Sequence, residues 1–290
     1  MRSLRLGTRG SQLAVTQSQW VADLVTARTG RPVTLVIVRT RGDEVTDRPL
    51  AMVGGKGLFT LELEAGLLDG SIDFAVHSLK DLPTEDRAGL VVAAVPERED
   101  PRDVVVGGTL LGLPAGARVG TGSARRAHQV TALRPDLQVV GVRGNVDTRV
   151  AKQRSGEYDA VILAAAGLHR LGRAHDISEH LDPDLMVPAP GQGALGVQCR
   201  ADDASVRDAL SRLDHPDTAV AVAVERSFLH ALSGGCSVPA GCFAVLDRPA
   251  GRIRARAVLG TEAGLRRAEV DGDLDAAVAL GRSLAEQVRS

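Results

Sequence analysis

Short apolar runs alternate with longer amphipathic ones over the first two thirds of the chain, a pattern that predicts strands alternating with helices. Residues 4–8 read as a strand, and residues 11–29 as a helix with Leu13, Val21, Leu24 and Val25 on its apolar side. Residues 33–39 form a β-branched strand. Residues 57–69 space Leu58, Leu61, Ala65 and Leu68 as a helix does, and residues 72–77 and 91–95 are short strands. A similar unit follows from about residue 103 to 171, with strands expected at 103–106, 117–120, 138–142 and 160–163. Such alternation predicts parallel or mixed sheets with helices on their faces.

Two segments interrupt the pattern. The polar stretch from Pro96 to Pro101 links the two units, and Pro188-Ala189-Pro190-Gly191-Gln192-Gly193 marks a second crossing before a strand at 195–199. After a boundary at Asp214-His215-Pro216 the style changes: a helix at 219–232, strands at 241–246, 252–259 and 265–270, and a helix at 274–289. Within 252–259 arginines alternate with Ile253, Ala255 and Ala257, which predicts a strand with one solvated face.

Charge enters locally. Thr121-Gly122-Ser123-Ala124-Arg125-Arg126 and Arg143-Gly144-Asn145-Val146-Asp147-Thr148-Arg149 each follow a strand-like run and open a helix. A helix N-terminus carries partial positive charge, so a cation there costs roughly 0.3–1 kcal/mol. Four arginines in such places need an offsetting anion. A ligand rich in carboxylate or phosphate is the natural candidate, with solvent or a nearby acidic side chain as the plain alternative. On the ligand reading, an arginine of these loops can be removed at little cost to the fold. Thr8-Arg9-Gly10-Ser11 repeats the strand, arginine, serine, helix theme, so Arg9 and Ser11 are candidates for the same anion.

A second candidate segment runs from Phe74 to Pro83, where a buried strand releases Ser78, Lys80 and Asp81 into a loop. Asp81 either caps the next turn or supplies the one carboxylate of an arginine-lined site, able to stabilise a cation or move a proton. His77 reads as a buried, hydrogen-bonded structural residue. Gly54-Gly55-Lys56-Gly57-Leu58-Phe59 lacks the spacing of a phosphate-binding P-loop and reads as a mobile glycine-rich loop carrying Lys56 and Phe59. Arg170 suits the negative end of its helix. Of three cysteines, Cys199 and Cys242 lie in apolar runs and read as core, whereas Gly234-Gly235-Cys236 presents a loop thiol: an unremarkable one, a nucleophile or an attachment site.

Composition narrows the classes. Lys and Arg number 35 against 36 Asp and Glu, so no basic field for nucleic acid exists, and 2% aromatic residues leave no stacking platform. No 18-residue apolar stretch suggests a membrane span, three cysteines suit neither a disulfide framework nor a zinc site, and residues 1–6 show no signal-type core. A cytoplasmic chain without a metal is expected.

Together these segments, with Gly167-Leu168-His169-Arg170-Leu171-Gly172 and Pro190-Gly191-Gln192-Gly193-Ala194, resemble the porphobilinogen deaminase family in order and over nearly the full chain. The resemblance implies an α/β protein of three domains: two lobes like those of periplasmic binding proteins, with mixed sheets, and a small C-terminal α/β domain with an antiparallel sheet. The expected division is 1–95 with 193–212, then 100–188, then 215–290. The implied activity is hydroxymethylbilane synthesis, joining four porphobilinogen molecules head to tail with release of ammonia, in a monomer without nucleic-acid or membrane partners. A dipyrromethane cofactor is implied on Cys236 through a thioether, and Asp81 is implied as the catalytic group. Arg9, Arg125, Arg126, Arg143, Arg149 and Arg170 are implied to bind acetate and propionate groups, helped by Ser11, Ser78, Lys80, Thr121, Ser123 and Gln192. The chemistry agrees, since a growing pyrrole chain is a polyanion and loss of ammonia leaves a cation that one buried carboxylate would match. Gly122 stands where the family commonly has serine and His169 where it often has lysine. A two-lobed anion-binding or effector-sensing module without catalysis is the competing reading; it has no need of Cys236.

Overall fold

The computed structural model describes residues 2–40, 60–232 and 238–290. They divide into two compact units, Met1–Arg98 with Ala194–Ala219, and Glu99–Gly193 with Val220–Ser290.

In the first unit, β1 (Leu4–Thr8) leads into α1 (Gln12–Thr29), which Ser11 caps at one end and Gly30, at φ 69°, closes at the other. β2 (Val33–Ile37), α2 (Leu61–Leu68), β3 (Phe74–Ser78) and β4 (Leu90–Ala94) follow. The helix expected at 57–69 is therefore described from Leu61, and its first residues lie outside the described ones. In the second unit come β5 (Asp103–Val106), β6 (Arg118–Gly120), α3 (Ala124–Leu133), β7 (Gln138–Val140), α4 (Val146–Arg154), β8 (Ala160–Ala164), α5 (Ala165–Arg170) and a two-residue β9 (Glu179–His180). The chain then returns to the first unit as β10 (Leu195–Arg200) and α6 (Ala204–Ser211).

Each unit holds a five-stranded mixed sheet, in the orders β2-β1-β3-β10-β4 and β7-β6-β8-β5-β9. β1 pairs parallel with β2 and β3, and β10 pairs antiparallel with β3 and β4. Likewise β6 pairs parallel with β7 and β8, and β5 pairs antiparallel with β8 and β9. The two lobes thus share one topology although the sequence shows no repeat. In each, the strand that arrives through a proline-bounded crossing is inserted beside the third strand. Leu4, Leu6, Phe74, Leu195, Val197 and Cys199 form the core against α1 in the first sheet. Val104, Val105, Val106, Val161 and Ile162 are 0–3% exposed in the second.

α7 (Pro216–Ala231) precedes the three-stranded antiparallel sheet β11 (Ala240–Asp247), β12 (Arg252–Thr261) and β13 (Gly264–Asp273), and α8 (Ala277–Arg289) closes the chain. As the alternation predicts, Ile253, Ala255 and Ala257 are buried against α7 and α8, while Arg252 and Arg254 pair with Asp271 and Glu269 on the outer face. α6 and β9 were not expected from the sequence. Both are short, and the apolar period that marks longer elements has no room to develop in them. No helix among the described residues is long and apolar enough to cross a membrane.

Candidate active site

In the first unit the end of β3 presents Ser78, and a single 3₁₀ turn, Leu79–Asp81, follows. Leu79 and Leu82 are 2% and 3% exposed, so the turn is pinned by its leucines and displays the residues between them. Lys80 is half-buried and Asp81 exposed. Asp81 is therefore not the buried carboxylate that the cation argument favours, and it sits at the end of the turn. The hydroxyl of Ser78 lies 3.3 Å from Gln17 Nε2, which donates to it. At the neighbouring strand end, Arg9 is half-buried and the Ser11 hydroxyl accepts from Ala14 N at 3.3 Å.

His77 is buried on the same strand, 3.1 Å from Gln198 Oε1. Burial, with the Arg9 charge nearby, lowers its pKa to about 4 although Gln198 opposes the shift. Between the ordinary value of 6.5 and this one, the unfolded chain binds a proton that the native state refuses, so stability falls as pH falls through that window. Urea unfolding of His77→Gln should lose roughly 2–3 kcal/mol less than the parent between pH 7 and 4.5. Identical pH profiles would show that His77 titrates normally.

In the second unit the arginine loops divide into two kinds. Arg125 and Arg126 stand in the first turn of α3, which Ser123 caps, and both are buried, at 4% and 6% exposed. Their counter-ion is Asp103, the first residue of β5 and 0% exposed. Arg125 donates from Nη1 to Asp103 Oδ2 at 2.7 Å and from Nη2 to Oδ1 at 3.3 Å, and its Nη1 also reaches Val187 O at 2.6 Å. Arg126 donates from Nε and Nη2 to Asp103 Oδ1 at 2.9 and 2.7 Å, and from Nη1 to Ile162 O at 3.0 Å. Gln192 Nε2 joins them at 2.8 Å from Oδ1 and also donates to Pro101 O at 2.7 Å. Burial opposes ionisation of Asp103, yet the two guanidiniums hold its pKa well below the ordinary carboxylate range. Burial also lowers the pKa of Arg125 against the pull of Asp103. The anion that the pattern assigned first to a ligand is, for these two arginines, a carboxylate of the fold. Removing either arginine strands part of a buried charge, so the expectation of little cost to the fold does not hold for them.

The second loop is different. Asn145 caps α4 by accepting from Thr148 N at 2.9 Å, Gly144 adopts φ 108°, and Arg149 donates from Nε to Gly144 O at 2.8 Å. Arg143 is half-buried and has no hydrogen-bond or ion-pair partner among the described residues. A Cβ on Gly122 would lie 2.9 Å from Val142 O, so glycine there lets the two loops approach, and a serine would force them apart. Thr121 Oγ1 accepts from Ser123 N at 3.2 Å. Arg170, at the end of α5, donates to Gly193 O at 2.7 Å; burial, opposed by Glu99, lowers its pKa to about 10. Cys236, Lys56 and Phe59 lie outside the described residues. Cys199 and Cys242 are buried at 0% exposed, and burial raises the Cys199 thiol to about 11, far from a thiolate at neutral pH.

Asp103 and Glu225 carry weight that the sequence reading did not give them. Glu225, 0% exposed in α7, accepts from Gly191 N at 2.7 Å and Ala244 N at 3.1 Å, fixing the crossing that supplies Gln192. The available signal was an acidic residue inside an otherwise apolar element, which is rarely left fully buried without partners.

Comparisons with known proteins show the family to which the chain belongs. Residues 4–208 match the family model described as porphobilinogen deaminase, dipyromethane cofactor binding domain, and residues 219–290 match porphobilinogen deaminase, C-terminal domain. Porphobilinogen deaminase 1 of Streptomyces coelicolor is 51% identical over 99% of this chain and 95% of its own. The porphobilinogen deaminase of Pelobacter propionicus is 46% identical over 100% and 94%. Among solved structures, a periplasmic substrate-binding protein of an ABC transporter from Coxiella burnetii aligns with 77% of this chain and 96% of its own, at a TM-score of 0.44 and 15% identity.

Proposed function

The chain belongs to the porphobilinogen deaminase family, and from that membership we propose a division of labour among its residues. The activity is that of a transferase in tetrapyrrole and heme biosynthesis: four porphobilinogen molecules are condensed head to tail, ammonia leaves at each step, and linear hydroxymethylbilane is freed. The cofactor is dipyrromethane. The reading as a non-catalytic anion-binding module is not favoured.

When bound, dipyrromethane supplies the anchored pyrrole end to which substrate is joined, and we propose Cys236 as its thioether attachment point. Arg143 carries the binding assignment: a half-buried guanidinium with no partner of its own among the described residues suits a carboxylate brought by a ligand. Arg9, Arg149, Arg170 and Lys80 add charge, and Ser11, Ser78, Thr121, Ser123 and Gln192 add hydrogen bonds. Arg125 and Arg126 bind through what remains, since each guanidinium has five N–H donors and makes three bonds within the fold. Asp81 stabilises the cation left when ammonia departs from porphobilinogen and moves the accompanying proton. Asp81 is exposed in this structure, so this role requires the bound substrate itself to exclude water from the carboxylate.

The three-domain division at 1–95 with 193–212, 100–188 and 215–290 belongs to the same proposal. So does action as a cytoplasmic monomer without nucleic-acid or membrane partners; the balanced charge supports the absence of a nucleic-acid partner.

Intact mass tests the attachment. The native protein should exceed its sequence mass by two linked pyrrole units, with the adduct on the peptide containing Cys236. Cys236→Ser should lack the thioether adduct and most of the activity, because a neutral hydroxyl is a far poorer nucleophile than a thiolate. An adduct on Cys199 or Cys242 would overturn the assignment.

A further inference from the structure

Beyond the reaction, the second unit gathers a set of donors that catalysis does not use. Asp100, His169 and His180 each place one ligand atom within 4.8 Å of the others. They come from three separate segments: the crossing before β5, the last turn of α5, and β9. We propose that Asp100, His169 and His180 form a binding site for a divalent transition-metal ion of the zinc class, with Glu99 orienting His169.

The geometry is close to what such an ion requires. His180 Nε2 lies 3.9 Å from Asp100 Oδ2. Two ligands of one tetrahedral zinc are about 3.3 Å apart when each bond is about 2.0–2.1 Å, so this pair would need to close by only about 0.6 Å. The two imidazole rings stand 6.0 Å apart between centroids and are tilted by 50°, an arrangement in which two nitrogens can converge on one point. His169 Nδ1 is 3.1 Å from Glu99 Oε1, which leaves Nε2 for the ion. A carboxylate behind a histidine fixes the tautomer that a metal needs. Asp100 is held by Arg102, whose backbone N, Nε and Nη2 donate to it at 2.9, 3.0 and 2.6 Å, so its carboxylate is already oriented. Three protein donors leave the fourth position to water.

Neither histidine has a part in the catalytic reading, although Glu99 also acts on Arg170. Cobalt(II) titration of the full-length protein, with its cofactor attached, is the test, followed by competition with zinc(II). One cobalt ion per chain should bind with the strong visible absorption of four-coordinate geometry, and zinc should displace it. His180→Gln should abolish that absorption, and so should His169→Lys, which leaves a cation beside Glu99. Glu99→Gln should weaken binding by roughly 10–100-fold. Absence of stoichiometric binding overturns the proposal, as does binding undiminished in both histidine variants or binding lost only with Cys236→Ser.

Discussion

Asp81→Ala is expected to fold as the parent does and to lose about 10²–10⁴ in turnover, the range carried by a positioned acid–base or charge-stabilising group. The fold should not register the change, because Asp81 is exposed and the turn that carries it is pinned by Leu79 and Leu82. Surface substitutions of this kind normally stay within about 0.5 kcal/mol. Initial rates of porphobilinogen consumption, beside a urea melt at the same pH, check both halves. Asp81→Asn should fall nearly as far as alanine, since it keeps the shape and removes the charge and the proton acceptor. Turnover within about tenfold of the parent, equivalent to a barrier change of only 1.4 kcal/mol, would remove Asp81 from the role assigned to it.

Asp103→Ala should produce the largest loss of stability, about 3–5 kcal/mol, because it leaves two buried guanidiniums and the Gln192 amide without their common acceptor. The contrast with Arg143→Leu separates the two kinds of arginine. Arg143 has no partner within the described fold, so its removal should move the unfolding midpoint little. Synthesis should nevertheless fall by roughly 10–150-fold, from loss of a charge-assisted bond worth about 1.5–3 kcal/mol. Denaturant titration and steady-state rates on the two variants read both effects. An Asp103→Ala protein within about 1 kcal/mol of the parent would show that the arginines find other acceptors and that the network is not what holds them.

Most of the element pattern of the lobes was legible because the longer strands and helices bury a periodic face, and apolar periodicity records that face directly, whereas α6 and β9 escaped it. The core roles of Cys199, Cys242 and His77, and the solvated face of β12, followed from the same local rule. The alternation also announced mixed sheets, yet strand order was beyond it. β5 and β10 each join a sheet through a crossing, and the pairing of Asp103 with Ala164, or of Leu195 with Ser78, depends on residues far apart in the chain.

By itself the sequence determined the family, the α/β class, the cofactor and the segments where chemistry collects, because those rest on ordered local motifs. Tertiary structure alone decided what each charge does. Arg125, Arg126 and Arg143 look alike in sequence, but packing buries the first two on Asp103 and leaves the third without an acceptor among the described residues. The physical reason is that a guanidinium's role is set by which acceptor is within about 3 Å and by how much water remains around it, and both are properties of contacts between distant segments.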